Sequence, residues 1–140
     1  MDSLLNISPL AVVRTLSAAF LAILFLQSGI DKILDWKGNL SWLKGHFAAT
    51  PLRGLVPPML VTVLICEVAA GILLALGGLL VLTGSAPLLM RAGAQVAGLS
   101  LTMLFFGQRI AKDYRGAADL VPYFVLTVIT MLLSDEGLFA

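Results

Sequence analysis

Long stretches without charge are the feature of this chain that most limits what it can fold into. From Gly54 to Met90 the only charged side chain is Glu67, and the 16 residues between Arg14 and Asp31 carry no charge. A hydrocarbon core about 30 Å thick takes about 20 predominantly apolar residues to cross as an α-helix. The stretch from 54 to 90 is too long for one crossing, so the sequence predicts an integral membrane protein with several helices.

Prolines, glycines and charges divide the chain into four predicted crossings. Pro57 and Pro58 suit the first turn of a helix, and the run 83–87 separates two apolar segments. Asp119 and Pro122 suit another first turn. The predicted membrane helices, in a single transmembrane domain, are 9–33, 57–82, 87–109 and 118–134. The predicted fold class is therefore all-α, an integral membrane four-helix bundle.

Residues 34–56 differ in composition from the four apolar segments. Their large apolar side chains recur at spacings of three and four residues: Trp36, Leu40, Leu43 and Phe47. This spacing predicts a short amphipathic helix at the membrane interface, over about 36–48, with tryptophan as an anchor. The basic side chains of the segment and His46 fall elsewhere around that helix. A re-entrant or irregular loop packed over the helix ends is the alternative.

Basic residues are distributed unevenly between the two sides of the predicted bundle. One side holds seven: Lys32, Lys37, Lys44, Arg53, Arg109, Lys112 and Arg115. The other side holds Arg14 and Arg91. The positive-inside rule then predicts that loops 1–2 and 3–4 are cytoplasmic and that both termini are outside. The predicted location is the bacterial inner (cytoplasmic) membrane.

Composition also excludes several kinds of chemistry. The net charge is +1 and there is no long basic run, which argues against nucleic acid as a partner. A lone cysteine, Cys66, cannot form an internal disulfide or a CxxC centre, and a lone histidine, His46, cannot form a bis-histidine haem site. We therefore expect no metal site, no intrinsic cofactor and no firm catalytic residue. The main expected contact is the lipid bilayer.

Glu67 is the most informative polar residue, because it falls near the middle of the second predicted membrane helix. A charged side chain at that depth costs about 3 kcal/mol, so it should face the bundle interior, pair with a cation or a hydrogen-bond donor, or stay protonated. Lys32, at the end of the first helix, is the favoured partner, and Gln27 lies at a compatible depth. Glu67 is then either a proton-carrying or substrate-binding carboxylate, or a buried residue that determines helix register.

Small residues continue from Glu67 along the same helix face. Gly71, Ala75 and Gly78 follow it at spacings of four, four and three. This stripe predicts close packing against another membrane helix. Gly29, near the end of the first helix, is given the same packing role.

A second group of polar residues falls between the third and fourth helices, on the same membrane side as Lys32. Its members are Gln108, Arg109, Lys112, Asp113, Tyr114, Arg115, Asp119 and Tyr123. Cations, amides and a phenol beside lipid suit a quinone head group or a small anion, with Arg109 as donor and Tyr123 as a further hydrogen-bond partner. A solvated basic loop that only determines orientation is the alternative.

Several motifs carry a family resemblance. The segment FLQSGIDKILDW ends the first helix, Pro51 follows in the loop, and CEVAAGILLALGG contains Glu67 and Gly71. With AKDYRGAADLVPY near the fourth helix, the chain resembles the DoxX-like family of four-helix membrane proteins. That resemblance implies quinone-reducing subunits, partners of thiol-redox or superoxide-handling enzymes, or members without assigned activity. Cys66 stands alone, unlike the CxxC pairs of related thiol-handling proteins.

Three functions follow from these observations as hypotheses. The favoured one is an accessory or structural subunit of a larger membrane redox complex, with a protein partner. The first alternative is a quinone-interacting oxidoreductase subunit, in which Lys32, Glu67 and Arg109 bind the head group. The second is a small proton-coupled transporter that uses Glu67. A homo-oligomer is compatible with each of these three functions.

Overall fold

The computed structural model describes residues 6–140, and every element of regular secondary structure in this part of the chain is a helix. The helices are α1 (Pro9–Leu34), α2 (Trp36–His46), α3 (Val56–Leu82), α4 (Leu88–Ile110), α5 (Tyr114–Asp119) and α6 (Val121–Leu133), followed by a 3-10 turn (Gly137–Phe139). By length and composition α1, α3, α4 and the α5–α6 pair can each cross a membrane. The predicted all-α membrane bundle is confirmed.

The helix ends follow from local chemistry. Ser8 caps α1, because its hydroxyl accepts a hydrogen bond from the backbone N–H of Ala11 over 3.1 Å. Pro57 and Pro58 lie in the first turn of α3, where a missing N–H costs nothing. Each long helix differs from its predicted bounds by one residue: α1 ends one residue later, α3 begins one earlier, and α4 is shifted by one.

The fourth crossing differs from the prediction of one helix over 118–134. It begins at Tyr114 and is divided at Leu120 into α5 and α6. Pro122 lies in the first turn of α6 and has no N–H to donate to the turn before it. The proline therefore starts a new helix instead of continuing an existing one.

The segment after α1 forms a helix, not an irregular loop. Asp35 caps α2 by accepting from the backbone N–H of Gly38 over 3.2 Å. The helix ends at His46, two residues before the predicted end, and Phe47 beyond it is buried. Trp42 is 61% exposed and is a better candidate for an interfacial anchor than the half-buried Trp36.

The four crossings form a ring in which α1 packs on α3, α3 on α4, α4 on α6, and α6 on α1. Apolar side chains at the centre of this ring, including Leu21, Phe25, Leu74 and Met90, are almost fully buried. Large apolar side chains also cover the outside, where they face lipid. Helix α6 is polar on its inner face: Thr127 and Thr130 are buried there, and each hydroxyl donates to a carbonyl one turn earlier.

Candidate functional site

Glu67 lies inside the bundle, in contact with two side chains of α1. It is 2% exposed. Nζ of Lys32 lies 3.0 Å from Oε2 and 3.2 Å from Oε1 of Glu67. The Ser28 hydroxyl donates to Oε1 of Glu67 over 3.1 Å and accepts from Nζ of Lys32 over 2.9 Å. The structure thus brings together the pair that the sequence favoured and adds Ser28 to it.

Two glycines explain how a residue as short as Ser28 reaches the carboxylate. A Cβ on Gly29 would lie 2.8 Å from Cγ2 of Val68, and a Cβ on Gly71 would lie 3.1 Å from the backbone nitrogen of Leu26. The first distance is one that real Cβ atoms essentially never show, and the second is tighter than nine in ten real Cβ contacts. Helices α1 and α3 therefore approach each other closely beside Ser28 and Glu67.

The predicted small-residue stripe of α3 faces α1 along most of its length. Gly78 lies opposite Ala18, whose Cβ would be 3.0 Å from a Cβ at position 78. Ala75 is only half-buried and lines an open apolar groove between α1 and α3. The packing role assigned to the stripe thus falls mainly on its glycines.

The two carboxylate oxygens of Glu67 have different surroundings. Oε1 accepts hydrogen bonds from Ser28 and Lys32. Oε2 touches the Lys32 ammonium without hydrogen-bond geometry, and within residues 6–140 it has no hydrogen-bond partner. The attraction within a buried ion pair offsets the desolvation of its charges best when the remaining lone pairs also accept hydrogen bonds. Oε2 can therefore accept a hydrogen bond from a further donor. The Lys32 side chain is 16% exposed and faces a cleft.

That cleft lies between α2, the first half of α3 and the last half of α4. Its volume is about 770 Å³, within the range of small-molecule sites. The walls are mainly apolar and aromatic, with Trp42, Met59, Leu60 and Phe106 among them. Its polar side chains are Lys32, Asn39, His46, Thr62, Thr102 and Gln108. An apolar cleft with a few convergent polar groups suits an amphiphilic molecule.

His46 connects α2 to the end of α4 at the rim of the cleft. Its Nε2 lies 2.9 Å from Oε1 of Gln108 and 3.7 Å from Oδ2 of Asp113. Its ring stacks on Trp42, with centroids 4.6 Å apart, and meets Phe47 edge to face. His46 therefore faces the bundle, although it lies outside the apolar spacing of Trp36, Leu40, Leu43 and Phe47.

The C-terminal end of α4 positions the two partners of His46, Gln108 and Asp113. Lys112 has a φ of 58°, a left-handed conformation that closes the helix. The backbone N–H of Asp113 then donates to the carbonyl of Gln108 over 2.9 Å. The Asp113 carboxylate caps α5 by accepting from the N–H of Gly116 over 2.9 Å. This turn orients Gln108 and Asp113 toward α2.

Three sequence-predicted ligand residues lie elsewhere and are not among the residues that line the cleft. Gln27 is exposed and donates to Asp31 on its own helix over 2.6 Å. Arg109 is exposed and lies over the ring of Tyr114, 4.4 Å from its centroid. Tyr123 is on α6, packed against the apolar core. The structure gathers Lys32 with Glu67 but does not bring these three to them.

The sequence-based ligand set did not include Ser28, Asn39, His46 or Gln108. Gln108 was noted only as part of the loop cluster, and His46 only as a polar residue of the interfacial segment and as a lone histidine that excludes a bis-histidine haem site. The available signal was that His46 is the one histidine of the chain and follows Trp42 by one helical turn. Side chains four residues apart on a helix are neighbours, so the sequence alone places His46 against Trp42.

At the opposite end of the bundle, two arginines have a structural role. Nε of Arg14 donates to the carbonyl of Leu133 over 2.6 Å, and Nη2 of Arg91 donates to the carbonyl of Ser134 over 3.0 Å. These carbonyls end α6, where a cation also complements the helix dipole. Arg14 and Arg91 thus hold the last helix to α1 and α4.

The fold and the cleft define a class: an integral membrane protein of four crossings, with an ion pair inside the bundle beside an amphipathic cleft. The model of the family described as DoxX matches residues 16–105. The chain belongs to the DoxX family. A search of curated proteins and a search of solved structures each found no match.

Proposed function

We propose that this protein binds the head group of a lipid-soluble quinone in the cleft between α2, α3 and α4. The observation that carries the proposal is the composition of the cleft wall: apolar and aromatic along most of its surface, with Lys32, His46 and Gln108 among its polar groups. A quinone has the matching form, an apolar ring and tail with two carbonyl oxygens that accept hydrogen bonds.

The polar groups of the cleft fit such carbonyls. The Lys32 ammonium has three N–H donors, and the longest of its hydrogen bonds, 3.4 Å to the Ser28 carbonyl, is the one that a ligand would replace. The carboxamide of Gln108 has two N–H donors. Glu67 and Ser28 hold the ammonium in one position, so little side-chain freedom is lost when a ligand accepts from it. Reduction of a quinone to a quinol takes up two electrons and two protons, and Lys32 with Glu67 would deliver protons to the nearer carbonyl.

Quinone titration tests this proposal. Trp42 lines the cleft, so a decyl-chain benzoquinone should quench its fluorescence in a Trp36→Phe background, where Trp42 is the remaining tryptophan. Lys32→Met and Gln108→Leu should each weaken binding about tenfold or more, because a hydrogen bond from a charged or desolvated donor is lost. Unchanged affinity in both variants would overturn the proposal.

Arg109→Gln is the matched control for that titration. It removes a cation from the same end of the bundle, but Arg109 is exposed and stacks on Tyr114 outside the cleft. Its affinity for the quinone should equal that of the parent chain. A loss as large as that of Lys32→Met would mean that net charge near the membrane surface, and not the cleft, governs binding.

We also propose that the protein acts as a subunit of a larger membrane redox complex. Quinone reduction needs an electron donor, and this chain has one cysteine and one histidine with which to build a redox centre. A partner protein would supply the electrons. With the basic loops in the cytoplasm of a bacterial inner membrane, as the positive-inside rule predicts, the cleft would lie near the cytoplasmic surface and the partner would act from that side.

Isolation from the native membrane tests the subunit proposal. The chain, tagged and expressed at its natural level, should leave a mild detergent extract with a stoichiometric redox protein, identified by mass analysis. A tagged membrane protein of similar size and no relation to it serves as the control for adventitious capture. Recovery of this chain without any redox protein would contradict the proposal.

A further inference from the structure

The outward face of α4 carries a polar residue where lipid is expected. Along this face the side chains recur every four and three residues: Leu88, Ala92, Gln95, Leu99, Thr102 and Phe106. Ala92 is half-buried and the other five are exposed. Spacings of four and three are those of one seam in a left-handed pair of helices.

Gln95 is the unusual member of this face. It lies about 10 Å along the axis from the first residue of α4, at 1.5 Å per residue. Arg91, one turn nearer that end, reaches Ser134 and Asp135 and so lies near the level where α6 ends. An amide in hydrocarbon is costly unless it is hydrogen-bonded. Thr102 on the same face avoids this cost, because its hydroxyl donates to the carbonyl of Gly98 over 2.8 Å.

We propose that Gln95 is the centre of an interface between two copies of this chain, formed by their α4 helices side by side. A carboxamide contains both a donor and an acceptor, so it is complementary to itself. Copies inserted in the same orientation are related by a two-fold axis along the membrane normal, which places Gln95 opposite Gln95 at the same depth. A single polar residue in such a seam determines register, and small Ala92 beside it permits close approach.

Thr102 and Phe106 belong both to this seam and to the cleft wall, but Gln95 does not line the cleft, so a change at Gln95 tests the interface without altering the proposed quinone site. Cross-linking in membrane vesicles tests the inference, in a Cys66→Ala background that removes the native thiol. Leu99→Cys, one turn from Gln95 on the seam, should form a disulfide-linked dimer on mild oxidation. Ile72→Cys, on the exposed face of α3, is the control and should remain monomeric.

Adding Gln95→Leu to Leu99→Cys should reduce the dimer yield about tenfold, whereas Gln95→Asn should keep most of it, because it keeps the amide. Gln95 is exposed, so neither change should disturb the fold of the single chain. Equal cross-linking of Leu99→Cys and Ile72→Cys would indicate random collision and overturn the proposal. Cross-linking of Leu99→Cys only to a different protein, or an unchanged yield with Gln95→Leu, would overturn it as well.

Discussion

Lys32→Met is expected to lower the free energy of unfolding by about 3 kcal/mol, because it leaves the carboxylate of Glu67 buried without its cation. Glu67→Met should cost less, about 1–2 kcal/mol. The reason for the difference is exposure: the Lys32 side chain is 16% exposed and can turn toward the cleft, whereas the Glu67 side chain is 3% exposed. Reversible unfolding in mixed micelles, followed by circular dichroism, measures both changes.

The double variant Lys32→Met/Glu67→Met tests whether the two residues act as a pair. Two apolar side chains of similar size leave no buried charge, so its stability should return to within about 1 kcal/mol of the parent chain. Losses that simply add would contradict the pairing. Ser28→Ala gives a separate measure, and its loss should be about 1 kcal/mol for the removed hydrogen bond to Glu67.

Gly77→Ala is expected to destabilise the bundle by about 3 kcal/mol, the upper end for overpacking. A Cβ at position 77 would overlap the backbone nitrogen of Met90 and lie 2.7 Å from its Cα. A flexible side chain can rotate away from a new methyl group, but backbone cannot. Helix α3 would have to separate from the start of α4, and the same micelle unfolding assay would report the loss.

Gly45→Ala is the matched control for Gly77→Ala. Gly45 lies in α2, and a Cβ there would have no heavy atom within 4 Å. Alanine favours the helix over glycine by about 1 kcal/mol, so the free energy of unfolding of this variant should equal that of the parent chain or be slightly higher. Equal destabilisation by the two changes would show that helix flexibility, and not the contact with Met90, is the property that glycine supplies at position 77.

The sequence predicted Lys32 with Glu67 because depth alone limits the choices. An acidic residue deep in an apolar helix needs a cation or donor within the bundle, and few side chains reach that level. Depth does not specify the direction in which a side chain points from the helix axis, because successive side chains are rotated by about 100° around that axis. Gln27 and Arg109 are each one residue from a side chain that faces the site, Ser28 and Gln108 respectively, and for that reason both point outward.

The same limit applies to helix packing. The sequence assigned a packing role to Ala75 and did not assign one to Gly77, although Gly77 has the closest approach to a neighbouring backbone and Ala75 lines an open groove. Both residues lie on α3 within one turn. Which of them is covered depends on where α1 and α4 cross α3, and no local pattern contains that information.

The charge-free stretches of the sequence determined that this is a membrane protein and how many crossings it has. They could do so because the cost of placing a charge in hydrocarbon applies to each segment separately. Tertiary structure decided the rest. The cleft requires α2, α3 and α4 to meet, and the contact between His46 and Gln108 joins residues 62 positions apart. Such a site depends on the relative rotation of whole helices, which is determined only when all of them pack together.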